Sequence, residues 1–296
     1  MRIAAGDYWK QGPPEPGTPI NWDSDHADGL TIFWPCWEGK GWCLEELVHG
    51  RHAVQKVASS DSDANQPYWT PTTDRVWGNV PTISSGATGG NDVFDTALHP
   101  VFDLPKFTLS CWCNKQSATG AYSGPMQNRI DTSGQNGFQF VSENSGSPFK
   151  PHLVVINTAN SETQNKQSTT TFAIPFVTFH HFVWTYDGTT VRLWIDGVED
   201  ALTNGASGWG GHNQITVGFA VDQFIGQVWD VRIYNRARPE LGTELFDPGT
   251  RWRVFERSRV RGSGRSFATG SGGKLAGRGG GLVGGGLAAT SSPLVA

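Results

Sequence analysis

Long apolar runs are missing from this sequence. No segment approaches the roughly 18 apolar residues of a membrane-crossing helix. The opening stretch, MRIAAGDYWKQGPPEP, lacks the apolar core of a secretory signal. The expectation is a protein made in the cytoplasm without a signal peptide, and with no membrane partner. Methionine is scarce, 2 in 296 residues, and charged residues make up 17%, below the roughly 25% of ordinary globular domains. Helical periodicity is lacking too: only Pro239 to Phe246 reads as a short helix, with a proline near its first turn. A protein of packed helices is therefore excluded. Glycine (38), proline (17) and aromatic residues (11%) are abundant instead, a composition suited to many short strands joined by tight turns.

Cysteine is limited to Cys36, Cys43, Cys111 and Cys113. Cys111 and Cys113 stand two apart in an alternating segment, so they share one sheet face, where neighbours rarely bridge each other. The spacings C-x6-C and C-x-C also differ from the paired C-x2-C knuckles of common zinc sites. Small buried thiols are the expected reading, with disulfides and a metal site as the alternatives. The net charge of −4 hides an asymmetry. Residues 249–296 hold eight Lys/Arg and one acid, Glu256, a net of +7; residues 1–248 carry 15 basic and 26 acidic groups, a net of −11. That division predicts that the C-terminal stretch docks on something acidic, such as the body of a neighbouring copy.

Three regions follow from the pattern along the chain. Residues 1–29 read as a proline-rich N-terminal arm, because Gly12-Pro13-Pro14-Glu15-Pro16-Gly17-Thr18-Pro19 fits neither a helix nor a central strand. Residues 30–248 form the body. A strand is predicted from Gly29 to Trp37, and 58–92 reads as turn-rich loops with short strands between them. Phe107, Leu109, Cys111 and Cys113 alternate with Thr108, Ser110 and Trp112 at a period of two. Gly137–Val141, His152–Asn157, Gln214–Phe219 and Phe224–Tyr234 supply further β-prone runs. The strongest signal is His180–Tyr186 and Val191–Ile195 around Asp187-Gly188, followed by a second Asp196-Gly197 turn. Residues 249–296 form an Arg-rich, then Gly-rich tail. Arg251, Arg253, Arg257, Arg259 and Arg261 are separated by even numbers of positions, so an extended strand would present all five on one face. The glycine-rich remainder reads as disordered by itself, and another subunit is the expected holder if it orders.

Four stretches carry a resemblance to a known superfamily. Gly29-Leu-Thr-Ile-Phe-Trp-Pro-Cys-Trp-Glu-Gly39 resembles a first-strand pattern, and Phe107-Thr-Leu-Ser-Cys-Trp112 a second strand. His180-His-Phe-Val-Trp-Thr-Tyr-Asp-Gly188 with Val191-Arg-Leu-Trp-Ile-Asp-Gly197 resembles a central hairpin, and Ile225–Arg236 a closing strand. Together they resemble the laminin-G-like, concanavalin A-like lectin/glucanase jelly rolls. The resemblance implies an all-β fold, an antiparallel β-sandwich jelly roll, here with an extended N-terminal arm and a Gly-rich C-terminal tail. Leu245–Trp252 resembles an ending common in phage-encoded members. Val48-His-Gly-Arg-His-Ala-Val54 departs from the family's pattern, so ligand-bearing loops do not transfer.

Candidate chemistry is thin. The glycosidases of this superfamily resemble one another in an E-x-D-x-x-E strand that brings two carboxylates to one face. No such triplet occurs here; Glu45-Glu46 and Glu199-Asp200 are adjacent pairs whose side chains diverge on a strand. His180 and His181 likewise point to opposite faces, which favours structural hydrogen bonding over a shared metal. The resemblance raises calcium as a cofactor in rim loops, for which Asn91, Asp92, Asp95 and Asp222 are the candidate ligands; turn capping explains these residues equally well. Trp209, within Ser207-Gly208-Trp209-Gly210-Gly211-His212, is the candidate platform for a sugar ring, with His212 beside it, although packing over the sandwich end is an equal alternative. Arg251, Arg253, Arg257, Arg259 and Arg261 are the candidate partner-binding residues. Few aromatics accompany them and the chain is acidic overall, so protein, not nucleic acid, is the expected partner.

The expected function is that of a non-catalytic structural subunit on the surface of a phage-like virion (capsid decoration, tail or fibre). It would assemble with copies of itself or other virion proteins through its terminal arms. The alternative is a lectin or adhesin that recognises a cell-surface glycan through rim loops. A glycoside hydrolase is a distant third.

Overall fold

The structure, a computed structural model, describes residues 17–36, 43–50, 53–56, 68–71, 79–83, 93–96, 100–117, 124–128, 136–142, 148–159, 161–205, 217–221 and 224–255. For 53–56, 68–71, 79–83, 93–96, 100 and 217–221 it describes the backbone alone. All of these lie in the first of the two units into which the chain divides, Met1–Ser258 and Arg259–Ala296.

Among the described residues, seventeen strands form two antiparallel sheets. In chain order the first six are β1 (Leu30–Trp34), β2 (Cys43–Leu44), β3 (Ala53–Lys56), β4 (Tyr68–Pro71), β5 (Asn79–Ile83) and β6 (Val93–Thr96). Next come β7 (Phe107–Lys115), β8 (Gly124–Gln127), β9 (Gly137–Ser142), β10 (Pro151–Ile156), β11 (Glu162–Ser168) and β12 (His180–Tyr186). The last are β13 (Val191–Ile195), β14 (Val198–Asp200), β15 (Leu202–Asn204), β16 (Val217–Val221) and β17 (Gly226–Tyr234). The first sheet runs β14-β13-β12-β7-β17-β5-β4, with β1 also paired to β17; the second runs β15-β11-β10-β9-β8-β16-β6-β3-β2. One short helix, α1 (Leu241–Glu244), falls inside the predicted segment 239–246.

Alternation along the strands sorts side chains to the two faces of each sheet. Phe107, Phe182 and Trp184 point from the first sheet toward Phe138 and Phe140 of β9. Ring centroids are 5.2 Å apart for Phe107–Phe138, 5.4 Å for Phe140–Phe182 and 5.8 Å for Phe140–Trp184. This aromatic layer is the sandwich core. Cys36, Cys111 and Cys113 are buried free thiols, as expected, and Cys43 is an exposed one. Burial pushes the Cys111 thiol pKa up, and the neighbouring Cys113 adds to the shift.

The other face of the first sheet is covered as well: eight of the nine residues of β7 are buried. A third layer supplies the cover. Ile20 bridges Phe255, and the Asn21 amide donates to the Val254 carbonyl at 2.8 Å. The Arg238 guanidinium reaches the carbonyls of Asp25 and Asp28 at 2.5 and 2.9 Å. Trp252 stands edge-on to Trp229 at 5.4 Å, and Phe255 lies 5.5 Å from Phe33. Burying each large apolar side chain contributes roughly 1.5–3 kcal/mol, so this cover is a substantial part of the fold.

Residues 17–29, read from the sequence as part of the N-terminal arm, and 249–255, read as part of the tail, pack on the body. Arg251–Val254 is a 3-10 turn, not an extended strand. Arg251 is 3% exposed, with its guanidinium 4.5 Å from the Trp112 ring centroid, so it is unavailable to a partner; Arg253 on the same turn is exposed. The helical turn rotates successive side chains by about a third of a circle, which separates residues that a strand would align.

A bulge in β17 prepares the covered face. Asp230 has φ 49°, and the register with β7 shifts between Trp229 and Arg232. Residues three apart on a regular strand face opposite ways. The extra residue lets both Trp229 and Arg232 meet Trp252.

Candidate functional site

Most of the residues singled out in the sequence lie outside the described residues: Trp209, His212, Asn91, Asp92, Asp222, Arg257, Arg259 and Arg261. Asp95 lies within β6, opposite Gly218 of β16 and Val54 of β3. Calcium ligation and the sugar platform therefore stay expectations. Among the described residues no group of three or more His, Cys, Asp and Glu is arranged to hold a metal.

Four of the described acids are tied into the scaffold. Glu46 is 2% exposed, and its carboxylate accepts from the backbone amides of Phe33 (3.0 Å), Val48 (2.7 Å) and His49 (2.7 Å). Asp196 accepts from the His181 amide at 2.8 Å and meets His180 Nδ1 at 2.6 Å. Asp200 accepts from the hydroxyls of Ser168 and Thr170. Asp230 receives two bonds from Arg232, at 2.7 and 3.1 Å, with both residues essentially unexposed. The Arg232 guanidinium also donates to the Arg251 carbonyl at 3.0 Å and lies 4.6 Å from the Phe33 ring.

The histidines behave as their adjacent positions predict. His180 turns to Asp196 and the Phe172 ring. His181 turns the other way, stacking on Trp112 at 4.8 Å with Nε2 2.9 Å from the Ser110 hydroxyl. Burial, then the charges of Arg251 and Arg232, hold the His181 pKa well below the ordinary histidine value. Burial likewise lowers His26 to about 4, with Arg232 and other arginines adding to the shift. At neutral pH the His26 imidazole that lies 2.8 Å from Glu244 is therefore uncharged. Burial also lowers Arg251 to about 10 and Lys115 to about 8. These groups serve the interior.

A concave feature lies at the edge of the second sheet. β15 pairs with β11 only from Lys166 to Ser168, and the Gly205 amide donates to the Asn165 carbonyl at 3.1 Å. The rest of β11 lines a groove of about 420 Å³ with Asn204 and Gly205. That size is within the range of small-molecule pockets, roughly 300–1,000 Å³. A register shift against β10 makes Thr163 an extra residue, with its hydroxyl donating to the Val155 carbonyl. The shift brings Glu162 and Asn165 to one face, where the Asn165 amide donates to Glu162 at 3.3 Å. On that same face His152 of β10 brings its Nε2 to 2.6 Å from Asn165 Oδ1, and on the opposite face Lys166 Nζ donates to Asn204 Oδ1 at 2.7 Å. A Cβ on Gly205 would collide with the Asn165 and His152 side chains, so only glycine permits this approach. Sequence reasoning passed over the whole feature, because Glu162-Thr-Gln-Asn-Lys166 shows no apolar alternation and no turn signal.

With two antiparallel sheets over an aromatic core, the described structure is a sandwich of lectin type. Residues 88–241 match the family model described as the concanavalin A-like lectin/glucanases superfamily, and the chain belongs to that superfamily. No curated protein matches it in sequence. Solved structures with a similar fold include domain 4 of an extracellular arabinanase from Geobacillus stearothermophilus in complex with arabinotriose. It is 15% identical over 74% of this chain and 98% of that one, with a TM-score of 0.49. A Trypanosoma rangeli sialidase mutant displaying trans-sialidase activity is 14% identical over 77% of this chain and 34% of its own, with a TM-score of 0.43. The binding domain of botulinum neurotoxin serotype D is 10% identical over 74% and 51%, with a TM-score of 0.42.

Proposed function

We propose that this chain is a non-catalytic recognition module that binds a glycan. The observation that carries the reading is the use of four acids among the described residues. Glu46, Asp196, Asp200 and Asp230 are each consumed by amides, hydroxyls, histidine or arginine of the scaffold. Glycoside hydrolysis needs two carboxylates facing one bond about 5–5.5 Å apart, or about 6.5–9.5 Å with an intervening water. Groups held in structural hydrogen bonds do not serve that role, whereas binding requires only a hydrogen-bonding surface on a stable body. The test is a broad glycan panel read for both binding and turnover. Saturable binding without release of reducing ends is expected. Hydrolysis of any panel member would overturn the non-catalytic part, and an unresponsive panel would overturn the glycan.

A second reading, a structural subunit of a phage-like particle, draws on the partition of charge. Residues 1–248 carry a net of −11, and the cluster Arg257, Arg259, Arg261 and Arg265 follows soon after. Opposite charge on two parts of one chain favours association between copies. Sedimentation of the full chain and of a 1–258 truncation tests it: a multimer that becomes a monomer on truncation is expected. Two monomers would remove this reading and leave the glycan reading intact.

A further inference from the structure

Resting on the assembly reading above, we infer that the surface around Trp22 is the docking site for the arginine-bearing segment 257–265 of a second copy of this chain. Trp22 is 57% exposed, in a layer whose other large aromatic rings, Trp252 and Phe255, are buried. The backbone on both sides of it is fixed. Ile20 bridges Phe255, the Asn21 amide donates to the Val254 carbonyl at 2.8 Å, and the Ser24 amide donates to the Asn21 carbonyl at 3.0 Å. Arg238 holds the carbonyl of Asp25 at 2.5 Å. The indole is therefore presented to solvent by a braced turn, and little order is lost when a partner covers it. Exposed tryptophan held in this way is characteristic of contact surfaces.

Charge selects the occupant. Asp23 and Asp25 follow the ring directly; both are exposed, and neither side chain makes a hydrogen bond or an ion pair. Other acids of the layer are engaged: Asp28 pairs with Arg236 at 2.7 Å and Glu240 with Arg238 at 2.5 Å. Arg253, exposed on the 3-10 turn, is the opposing charge, and the two aspartates outnumber it. His26 beneath them adds no positive charge at neutral pH. A guanidinium stacks on an indole face and forks onto an acidic group, so this arrangement suits arginine better than an apolar or acidic ligand. Residues 257–265 supply four arginines, Arg257, Arg259, Arg261 and Arg265, and no acid.

Chain direction favours exchange between copies. The pairing of 20 with 255 is antiparallel, and Val254 lies beside Asn21. At Phe255 the chain is therefore heading away from Trp22, and it would have to reverse at once to reach the indole of its own copy. A second copy related by a two-fold axis meets no such demand. Donor and acceptor begin on one surface, so each copy gives a segment and receives one, and the contact closes as a dimer instead of growing into a fibre.

The experiment is sedimentation velocity of the full chain over a concentration series, with and without a synthetic peptide of sequence 257–265. Trp22→Ala and the double variant Asp23→Asn/Asp25→Asn are run beside it. The unaltered chain is expected to sediment as a dimer that excess peptide returns to monomer. Either variant is expected to weaken the dimer about tenfold. Because all three side chains are exposed, the melting temperature of the monomer should stay unchanged, which separates lost docking from lost folding. A multimer that neither variant weakens would overturn this surface while leaving the assembly reading standing. A multimer weakened by the variants but indifferent to the peptide would overturn the assigned occupant. A full chain that stays monomeric throughout the series would overturn the site and the assembly reading together.

Discussion

His26 and His181 lie under the third layer, and their lowered pKa values make stability depend on pH. Above pH 6.5 both are neutral in either state. As pH falls from about 6.5 toward about 4, the unfolded chain takes up a proton at His26 that the folded chain does not. The stability present above pH 6.5 is thus lost on acidification, and His181 acts in the same direction. Chemical denaturation at a series of pH values should show a falling midpoint in this window, with a shallower fall in His26→Gln. A second residue-scale expectation concerns Asp230 and Arg232. Replacing Arg232 by leucine strands an unexposed carboxylate and should cost roughly 3–5 kcal/mol, measured by urea unfolding. Thiol chemistry gives a third: a native-state titration should label Cys43 alone, and all four cysteines once the chain is unfolded.

At the scale of elements, legibility followed the local signal. The hairpin His180–Gly197 was readable because its signature residues have local work to do. Asp196 sits at φ 50° beside Gly197 at φ 81°, and its carboxylate holds both His180 and the His181 amide. The alternation of β7 was readable for the same reason. The third layer was not, since Arg251, Arg253 and Arg257, separated by even numbers of positions, mimic a strand face, while the turn that buries Arg251 depends on Trp112 and Trp229 far away in sequence. The β11 groove escaped notice because its strand is polar throughout. One prediction belongs here. A chain ending at 248 lacks Trp252, Val254 and Phe255, exposes Phe33 and Trp229, and should be insoluble or unfolded, whereas a chain ending at 258 should keep a cooperative melt by circular dichroism.

For the molecule as a whole, the two proposed roles make separable demands. Glycan recognition calls for a hydrogen-bonding surface on a rigid body, assembly for opposite charges on body and C-terminal stretch. The pairing of residues 17–29 with 238–255 sets an order of events in time. His26 waits for Glu244, which follows it by 218 positions, and Ile20 waits for Phe255. During synthesis the outer side of the first sheet therefore has no cover until almost the whole body has been made. Contacts this distant in sequence form slowly, and a naked apolar sheet face is what self-association feeds on. Refolding from denaturant should accordingly end in a slow phase that reports on Trp252, and yield should fall as protein concentration rises. The last segment of the body to leave the ribosome is the one that ends its exposure.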